Sequence, residues 1–312
     1  MQADAIVLEQ PRRISLSRLE LDPPQPADVV VDVERSGISA GTERLLWSGR
    51  MPPFPGLGYP LVPGYEAVGR VVERGSDATL PLGTRVFVPG AHCFGAVRGL
   101  FGAAASRLVL PESRVLPVAG LDGEQAVLLA LAATARRVIA VPGAVLPELI
   151  VGHGVLGRLL ARLVVAAGGT PTVWERDPSR AVGDHGYRVL APDADPRHDY
   201  ACICDVSGDA DGLDALIGRL RRGGELVLAG FYPDRVGFAF PAAFMREIRL
   251  RVSAEWSRPD LEAARDAALD GTLSLDGLVT HRRPAHEAEA AYAQAFEDPA
   301  CLKMVLDWSN RP

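Results

Sequence analysis

The feature that most constrains this chain of 312 residues is a short apolar segment that runs directly into closely spaced glycines. Residues 149–151 (LIV) are followed by Gly152, Gly154 and Gly157, and helical apolar spacing continues over 155–167. The first glycine permits a tight turn, the second lets a pyrophosphate approach the backbone, and the third allows close helix–strand contact. The helix N-terminus offers free N–H groups to phosphates. The turn therefore predicts a dinucleotide-binding fold, with candidate cofactor residues Gly152, His153, Gly154, Val155, Leu156 and Gly157.

An acidic residue closes the next predicted strand. Glu175 ends residues 172–175 and lies 18 residues beyond Gly157. A carboxylate at this position accepts hydrogen bonds from the adenosine ribose hydroxyls and repels a 2′-phosphate, which favours NAD over NADP. Arg176 follows immediately and is a candidate to moderate that preference. For His153, contact with a phosphate and exposure to solvent both remain open.

The pattern of the chain changes near its middle. The first third contains short β-branched or alternating runs between Pro- and Gly-rich turns, typical of a small barrel or sandwich. We predict strands there at 5–8, 29–33, 67–73, 85–88 and 106–110, and an ordered apolar loop at 47–63. From residue 149 strands and helices alternate, which predicts a doubly wound parallel sheet. The later predicted strands are 149–151, 172–175, 200–206, 225–230, 248–254 and 302–307; the predicted helices are 124–139, 155–167, 211–221, 259–269 and 285–296.

This organisation resembles the medium-chain dehydrogenase/reductase superfamily. The resemblance rests on residues 37–43 (GISAGTE), 63–71 (PGYEAVGRV), the glycine turn and 302–306 (LKMVL). It implies an α/β fold with an N-terminal GroES-like β domain, a Rossmann doubly wound parallel sheet, and a C-terminal segment that returns to the β domain. We therefore predict a catalytic GroES-like domain over 1–118 and 255–312, and an NAD-binding domain over 119–254.

A narrower resemblance links the chain to the bacteriochlorophyll-synthesis branch of that superfamily. It rests on residues 47–56 (WSGRMPPFPG), 86–91 (VFVPGA) and 99–102 (GLFG). Members of this branch oxidise the 3-hydroxyethyl group of a bacteriochlorophyllide to acetyl, so the resemblance implies an NAD-dependent alcohol dehydrogenase with a tetrapyrrole substrate. An apolar, proline-stiffened segment suits a flat macrocycle, although an ordinary core or subunit-contact loop would have the same composition. The candidate substrate residues are Ser39, Trp47, Met51, Phe54 and Tyr59.

The chain departs from the zinc alcohol dehydrogenases of the superfamily at the metal positions. Ser39 or Ala40 stands where those enzymes have a Cys ligand, and Tyr65 replaces a His. Residues 128–132 hold no Cys, His or acid for the third ligand. Zinc needs three or four N, S or carboxylate ligands that converge on one point. We therefore predict a metal-free site.

Without zinc, a protein group must polarise the alcohol and take its proton. Tyr65 is the natural general acid/base because a phenol can hydrogen-bond the substrate oxygen. Glu66, Glu43 and Thr42 come from the same two motifs and are candidate orienting or proton-relay partners. In the alternative reading, Tyr65 fills the space of the lost ligand, and Glu66 and Glu43 pair with arginines.

Three further segments are candidates to contact the cofactor. Loops at the carboxyl ends of parallel strands line the ligand crevice of such sheets; two of these loops hold Val206, Ser207, Gly208, Ala229, Gly230 and Phe231. Lys303 is the only lysine among 33 basic residues. In the resembled superfamily a basic residue at this position approaches the cofactor pyrophosphate, and a solvated lysine on a late strand is the alternative.

Charge and composition exclude several function classes. The formal net charge is −6 and no block of basic residues occurs, so neither nucleic acid nor an anionic membrane surface is an expected partner. No apolar stretch reaches the roughly 20 residues of a membrane span, and residues 1–13 do not have the pattern of a signal peptide. Four cysteines in 312 residues indicate a reducing compartment. We expect a cytoplasmic protein. Because members of the resembled superfamily commonly dimerise, the resemblance also implies a homodimer.

Two other functions remain open from the sequence. A zinc-free quinone or enoyl reductase of the same superfamily would use NADPH, which Glu175 disfavours. A non-catalytic NAD(H)-binding redox sensor would keep the fold, and the missing zinc ligands keep this alternative open.

Overall fold

The structure, a computed structural model, describes residues 1–53 and 55–309. Its strands in chain order are β1 (Gln2–Gln10), β2 (Arg13–Glu20), β3 (Asp28–Ile38), β4 (Leu61–Val62), β5 (Ala67–Arg74), β6 (Arg85–Val88), β7 (Arg98–Gly99), β8 (Arg107–Pro111), β9 (Leu116–Pro117), β10 (Leu149–Val151), β11 (Thr172–Trp174), β12 (Arg188–Leu190), β13 (Tyr200–Asp205), β14 (Leu220–Leu228), β15 (Arg249–Val252), β16 (His281–Pro284) and β17 (Met304–Asp307).

The α-helices of the described residues are mostly short. In chain order they are α1 (Thr42–Ser48), α2 (Gly123–Ala126), α3 (Leu129–Ala140), α4 (Val155–Ala166), α5 (Pro178–Ala181), α6 (Leu213–Arg219), α7 (Phe240–Arg246), α8 (Arg258–Leu269) and α9 (Ala288–Glu297). No helix in the described ranges has both the length and the hydropathy that a membrane crossing requires.

The chain divides into two compact units. Unit 1 comprises Met1–Ala130 and the chain from Leu275 onward, and unit 2 is Leu131–Ser274. The borders between the two units, at 130/131 and 274/275, both lie later in the chain than the predicted domain borders at 118/119 and 254/255. The ion pairs of α8 explain the second shift, because the Asp260 carboxylate binds Arg136 (2.6 Å) and Arg137 (3.5 Å) of α3. These contacts place α8 in unit 2 rather than in the β domain.

Unit 1 contains two sheets. One has the order β16-β17-β3-β5-β6-β9, with β8 also paired to β3, and the other has the order β2-β1-β4-β7. Strand β17 pairs antiparallel with β3, with Met304 opposite Ile38. The predicted return of the C-terminal segment to the β domain is therefore confirmed. Fully buried aliphatic side chains from β1, β3, β5 and β8 form the core between the sheets, together with Tyr292 and Phe296 of α9.

Unit 2 is built on one six-stranded sheet in the order β12-β11-β10-β13-β14-β15. All its strand pairs are parallel. This order, with the first strand at the centre and the crossover beside it, is the one typical of dinucleotide-binding sheets. The predicted doubly wound parallel sheet is confirmed.

The sequence prediction missed several elements and merged two others. Strand β2 was missed because its alternating side chains face solvent at a sheet edge and are mostly polar. Helices α1 and α7 have only seven residues each, too few for a clear apolar period. The single helix predicted over 124–139 is two helices, α2 and α3, separated at residues 127–128.

Candidate functional site

The strands of unit 2 end in register, and this brings the candidate cofactor residues to one edge. Val151 at the end of β10 lies opposite Trp174 of β11 and Asp205 of β13, and Asp205 lies opposite Leu228 of β14. The next residue along each strand therefore lies at the same carboxyl edge: Gly152, Glu175, Val206 and Ala229. Ligands of open α/β sheets bind at such an edge, beside the central strand.

The glycine turn has the conformation that phosphate binding requires. Gly152 has φ of +106°, which only glycine adopts readily. A Cβ on Gly157 would lie 1.9 Å from the carbonyl oxygen of Gly152, so α4 begins in direct contact with the turn. A Cβ on Gly154 would meet no described atom within 4 Å, so the space beside it is open. The N–H groups of Val155, Leu156 and Gly157 begin α4 and lack helical partners, which makes this cradle fit a pyrophosphate.

His153 does not have the free side chain that was expected. It is fully buried. Its Nδ1 lies 2.9 Å from the Arg180 carbonyl oxygen and its Nε2 lies 3.0 Å from the Tyr187 hydroxyl. Burial and the neighbouring Arg158 lower its pKa to about 3, so the ring is neutral at pH 7. The prediction that it reaches a phosphate or solvent is therefore wrong for the side chain; its role is to hold the turn against the loop after β11.

The acid after β11 is held by its own loop. Glu175 is half-buried, and its Oε1 accepts a hydrogen bond from the backbone N–H of Asp177 (2.9 Å). Arg176 is exposed and pairs with Asp209 (2.9 Å) from the loop after β13. An exposed pair of this kind contributes little to stability, so Arg176 can exchange partners.

The two other candidate loops pack closely on each other. A Cβ on Gly230 would lie 2.6 Å from the Gly208 nitrogen, and one on Gly208 would lie 2.5 Å from the Phe231 carbonyl oxygen. The Ser207 hydroxyl is tied back to Asp205 at 2.6 Å, and the Phe231 side chain is half-exposed. The two loops therefore form a closely packed backbone surface at the carboxyl edge of the sheet. This surface comprises Val206, Ser207, Gly208, Ala229, Gly230 and Phe231.

Unit 1 brings the candidate catalytic residues together. The Tyr65 hydroxyl donates to Ser39 Oγ at 2.6 Å, and Thr42 also hydrogen-bonds this phenol. Burial and the charges of Glu66 and Glu43 raise the pKa of Tyr65 far above its ordinary value, so it remains a phenol at neutral pH. This contact also shows that Ser39, rather than Ala40, faces Tyr65.

Glu43 is buried at the start of α1. Its Oε1 accepts from the Ser39 backbone N–H (2.9 Å), and the Tyr292 hydroxyl donates to its Oε2 (2.7 Å). Burial is the main reason that its pKa rises from 4.5 to about 7, and the charge of Glu66 adds to the effect. The carboxyl of Glu43 therefore changes protonation near neutral pH. Tyr292, which sequence analysis missed, gave no signal except its place in an amphipathic helix.

Glu66 and Lys303 form a buried ion pair. The Lys303 ammonium contacts Glu66 Oε2, and the two side chains are 1% and 0% exposed. Burial raises the pKa of Glu66, and the ammonium opposes that rise. The alternative reading, in which Glu66 and Glu43 pair with arginines, is therefore wrong. Lys303 is neither solvated nor free: in unit 1 its ammonium is occupied by a carboxylate, which does not support the predicted contact with a pyrophosphate.

The donor set at the superfamily's metal positions does not fit zinc. Ser39 and Tyr65 are neutral hydroxyls bonded to each other, and Glu66 already holds an ammonium. Zinc prefers thiolate, imidazole and carboxylate donors. Within the described ranges no three His, Cys, Asp or Glu side chains converge as a metal-binding group.

The aromatic segment is packed more deeply than an open platform would be. Trp47, Met51 and Tyr59 are half-buried against the apolar cluster of Leu8, Leu46, Leu61 and Leu100. The Trp47 ring lies 5.5 Å from that of Phe296, and the Tyr59 hydroxyl donates to the Leu46 carbonyl. Phe54 lies outside the described residues. The side chains of Trp47, Met51 and Tyr59 are therefore only partly accessible to a ligand.

Comparison with known proteins identifies the family. Residues 25–120 match the alcohol dehydrogenase GroES-like domain. Over 99% of both chains, the protein is 56% identical to a 2-desacetyl-2-hydroxyethyl bacteriochlorophyllide A dehydrogenase of Rhodobacter capsulatus. The chain belongs to the medium-chain dehydrogenase/reductase superfamily.

Within this superfamily, the likeness to bacteriochlorophyllide dehydrogenases extends to a second relative. The enzyme of the same name from Cereibacter sphaeroides is 54% identical over 99% of each chain. An Escherichia coli alcohol dehydrogenase solved with NADH shares the fold, with a TM-score of 0.84 at 19% identity and coverage of 98% and 99% of the two chains. The present protein is therefore an oxidoreductase of the alcohol dehydrogenase type.

The raised pKa of Glu43 predicts a pH-dependent stability. Because its pKa is about 7 in the folded protein and 4.5 ordinarily, its contribution is full below pH 4.5 and is lost as pH rises through 7, by up to about 3 kcal/mol. Glu43→Gln keeps the size of the side chain and one acceptor oxygen, replaces the other oxygen with an NH2 donor, and removes the titration. The unfolding free energy from urea denaturation should therefore fall less between pH 5 and pH 8 in this variant than in the wild type.

Glu73→Gln, at an exposed position near the end of β5, is the matched control and should follow the wild type. Parallel pH profiles for the wild type and Glu43→Gln would show that Glu43 does not titrate in this range.

Proposed function

We propose that the protein oxidises the 3-(1-hydroxyethyl) group of a bacteriochlorophyllide to 3-acetyl in bacteriochlorophyll biosynthesis, with NAD and without catalytic zinc. The observation that carries this proposal is the identity of 56% and 54%, over nearly whole chains, with relatives named for that dehydrogenation. The glycine turn and the carboxylate of Glu175 support the choice of NAD. The neutral Ser39–Tyr65 pair supports the absence of zinc.

The chain would hold the dinucleotide through unit 2. The backbone of the glycine turn and the first N–H groups of α4 would bind the pyrophosphate, and Glu175 would bind the ribose hydroxyls. When bound, NAD supplies the acceptor for the hydride of the alcohol. The remaining task of the protein is to orient the hydroxyl and accept its proton.

The proton chemistry is assigned to the cluster of unit 1. Tyr65 is a poor base while its pKa is raised, so we assign its hydroxyl to hydrogen-bonding and orienting the substrate oxygen, with Ser39 and Thr42 holding the phenol. Glu43, with a pKa of about 7, is the group suited to take up a proton near neutral pH. Glu66 contacts the Lys303 ammonium, and we assign it no proton transfer.

The direct test of the function is an absorbance assay with NAD and 3-hydroxyethyl bacteriochlorophyllide. Conjugation of the new acetyl group should shift the pigment band to the red while NADH appears in equal amount. NADPH-dependent reduction of a quinone or an enone, without pigment turnover, would point to the reductase alternative. Binding of NADH without turnover of any of these substrates would point to a sensor.

Tyr65→Phe should lower turnover by about 10²–10³-fold, because losing one hydrogen-bond donor to an oxygen that gains negative charge typically costs that much. The affinity for NAD should stay nearly unchanged, since Tyr65 belongs to unit 1 and the glycine turn to unit 2. Steady-state kinetics and an NADH fluorescence titration measure the two quantities.

Tyr200→Phe is the matched control, because it also removes a phenol hydroxyl that is hydrogen-bonded to a neighbour, Asp195 (2.6 Å), but does so in the interior of unit 2. Turnover of Tyr65→Phe at the level of this control would reduce Tyr65 to a packing residue.

Glu175 should set the cofactor preference. A carboxylate beside the ribose repels a 2′-phosphate, so NAD should bind much more tightly than NADP, and Glu175→Ser should narrow the difference. Fluorescence titrations with NADH and NADPH give both affinities. Equal affinities in the wild type would remove the basis for this cofactor choice.

The metal content follows from the donor set. Purified protein without an affinity tag should contain no stoichiometric zinc, and incubation with a chelator should leave turnover intact. Elemental analysis provides the measurement. One tightly held zinc per chain would contradict the proposal.

We also propose a cytoplasmic homodimer. The four cysteines are free and buried, as a reducing compartment permits. Edge strand β15 and helix α7 of unit 2 expose Val252, Phe240, Phe244 and Met245, each more than 60% accessible. An open strand edge with exposed apolar side chains favours pairing with another strand, and sedimentation equilibrium measures the resulting mass.

A further inference from the structure

Four exposed arginines of unit 1 have no carboxylate partner within the described ranges and lie on or beside the aromatic segment. Arg74 and Arg114 also lack such a partner, but Arg74 donates to the Thr79 and Leu80 carbonyls and Arg114 is half-buried. Arg12, Arg44, Arg50 and Arg98 are exposed, and no Asp or Glu of residues 1–53 and 55–309 lies within ion-pair distance of them. We call these four residues the arginine rim. The sequence around them explains their freedom, because residues 44–65 and 79–111 contain no Asp or Glu.

Most other arginines of unit 1 are neutralised. Eight of them form ion pairs with Asp or Glu: Arg13, Arg18, Arg35, Arg70, Arg85, Arg107, Arg282 and Arg283. The protein as a whole carries a net charge of −6. A group of unpaired guanidinium groups is therefore a local exception on an acidic protein, and it marks a surface for an anion.

The rim follows the aromatic segment that begins at Trp47. The Arg12 guanidinium lies 5.5 Å from the Trp47 ring centre, and the Arg12 backbone N–H donates to the Trp47 carbonyl at 2.7 Å. Arg50 adjoins Gly49, where a Cβ would lie 2.8 Å from Pro11, so Arg50 and Arg12 come from contacting segments. Arg44 lies on the exposed side of α1.

Arg98 connects the rim to the candidate catalytic cluster. Its guanidinium packs on Gly58, since a Cβ there would lie 2.9 Å from the Arg98 Cζ. Three residues further along the chain, the Phe101 ring meets the Tyr65 ring edge-on at 5.4 Å. Three residues span at most about 10 Å. The Arg98 backbone therefore lies at most about 10 Å from that of Phe101, the residue whose ring contacts Tyr65.

We propose that the arginine rim binds the propionate carboxylate of the tetrapyrrole, with Arg98 as its principal contact, and thereby selects the free acid over its ester. This inference rests on the proposed function. A bacteriochlorophyllide is a flat, largely apolar macrocycle whose one free carboxylate lies on a different ring from the reacting side chain. Guanidinium groups bind carboxylates through two parallel hydrogen bonds, and aromatic edges with cations beside them suit such an amphipathic molecule.

The test compares 3-hydroxyethyl bacteriochlorophyllide with its methyl ester. Each is titrated for binding by quenching of tryptophan fluorescence and assayed for turnover with NAD. The wild type should bind the free acid at least 10-fold more tightly than the ester. Arg98→Ala should raise the Kd and KM of the acid at least 10-fold, leave kcat within about twofold, and leave the ester unchanged. Arg98→Lys keeps the charge without the planar fork and should lose only part of the affinity.

Gly58→Ala provides an independent variant. Its Cβ would collide only with the flexible end of Arg98, so the fold is retained while the guanidinium is displaced. The KM of the acid should rise and that of the ester should not. Arg18→Ala, which removes an exposed arginine of β2 (71% accessible), is the matched control and should behave as the wild type.

The outcomes distinguish failure of the arginine rim assignment from failure of the proposed oxidation reaction. Equal binding of acid and ester by the wild type, or equal losses for both in Arg98→Ala, would overturn the rim assignment even where turnover is normal. Preferential binding of the acid, lost in Arg98→Ala, supports the rim even where no acetyl product forms. In that case only the proposed reaction fails.

Discussion

The buried ion pair between Lys303 and Glu66 is the interaction on which the rest of unit 1 depends. It joins the beginning of β17, near the end of the chain, to the motif that precedes β5, and both side chains are almost fully buried. Removing one partner of such a pair costs about 3–5 kcal/mol, because the other charge is left buried without compensation. The pair thus fixes the position of the neighbouring Tyr65.

Gly37 shows how tightly this pair is enclosed. A Cβ at that position would lie 2.5 Å from Glu66 Oε2, 2.9 Å from Lys303 Cε and 2.6 Å from Val127 Cγ1. Its N–H also donates to the Glu66 carbonyl at 2.8 Å. Any side chain there would displace the pair, so the glycine of the GISAGTE motif is required by packing rather than by its backbone torsions.

The fold was largely predictable from the sequence because two local patterns determine it. Strand–glycine–helix spacing places Gly152 and Glu175 after adjacent parallel strands, and alternating runs identify β3, β5 and β6. The border at residue 274 was not predictable, since it depends on Asp260 of α8 binding Arg136 and Arg137, residues that are 124 and 123 positions away in the chain.

The candidate site was predictable only in part, for the same reason. Tyr65, Ser39 and Thr42 come from two motifs, and the structure brings them into contact. The partners of the two carboxylates, Lys303 and Tyr292, come from sequence positions 237 and 249 residues away. The burial of His153 depends on contacts with Arg180 and Tyr187. No local sequence pattern indicates that the loop holding these two residues packs against the glycine turn. A single sequence does not show which side chains pair when they lie far apart in the chain.

Charge balance links the missing metal ligands to the chemistry of the cluster. Two carboxylates, Glu43 and Glu66, are buried near each other, and one cation, Lys303, is available to them. Lys303 contacts Glu66, so Glu43 is left with the hydroxyl of Tyr292 and one backbone N–H. Two hydrogen bonds do not offset the burial of a full charge, and the pKa of Glu43 therefore rises to about 7. A divalent cation at the position of Ser39 and Tyr65 would stabilise both carboxylates as anions. With neutral hydroxyls there instead, the second carboxylate becomes a group that can gain and lose a proton at neutral pH.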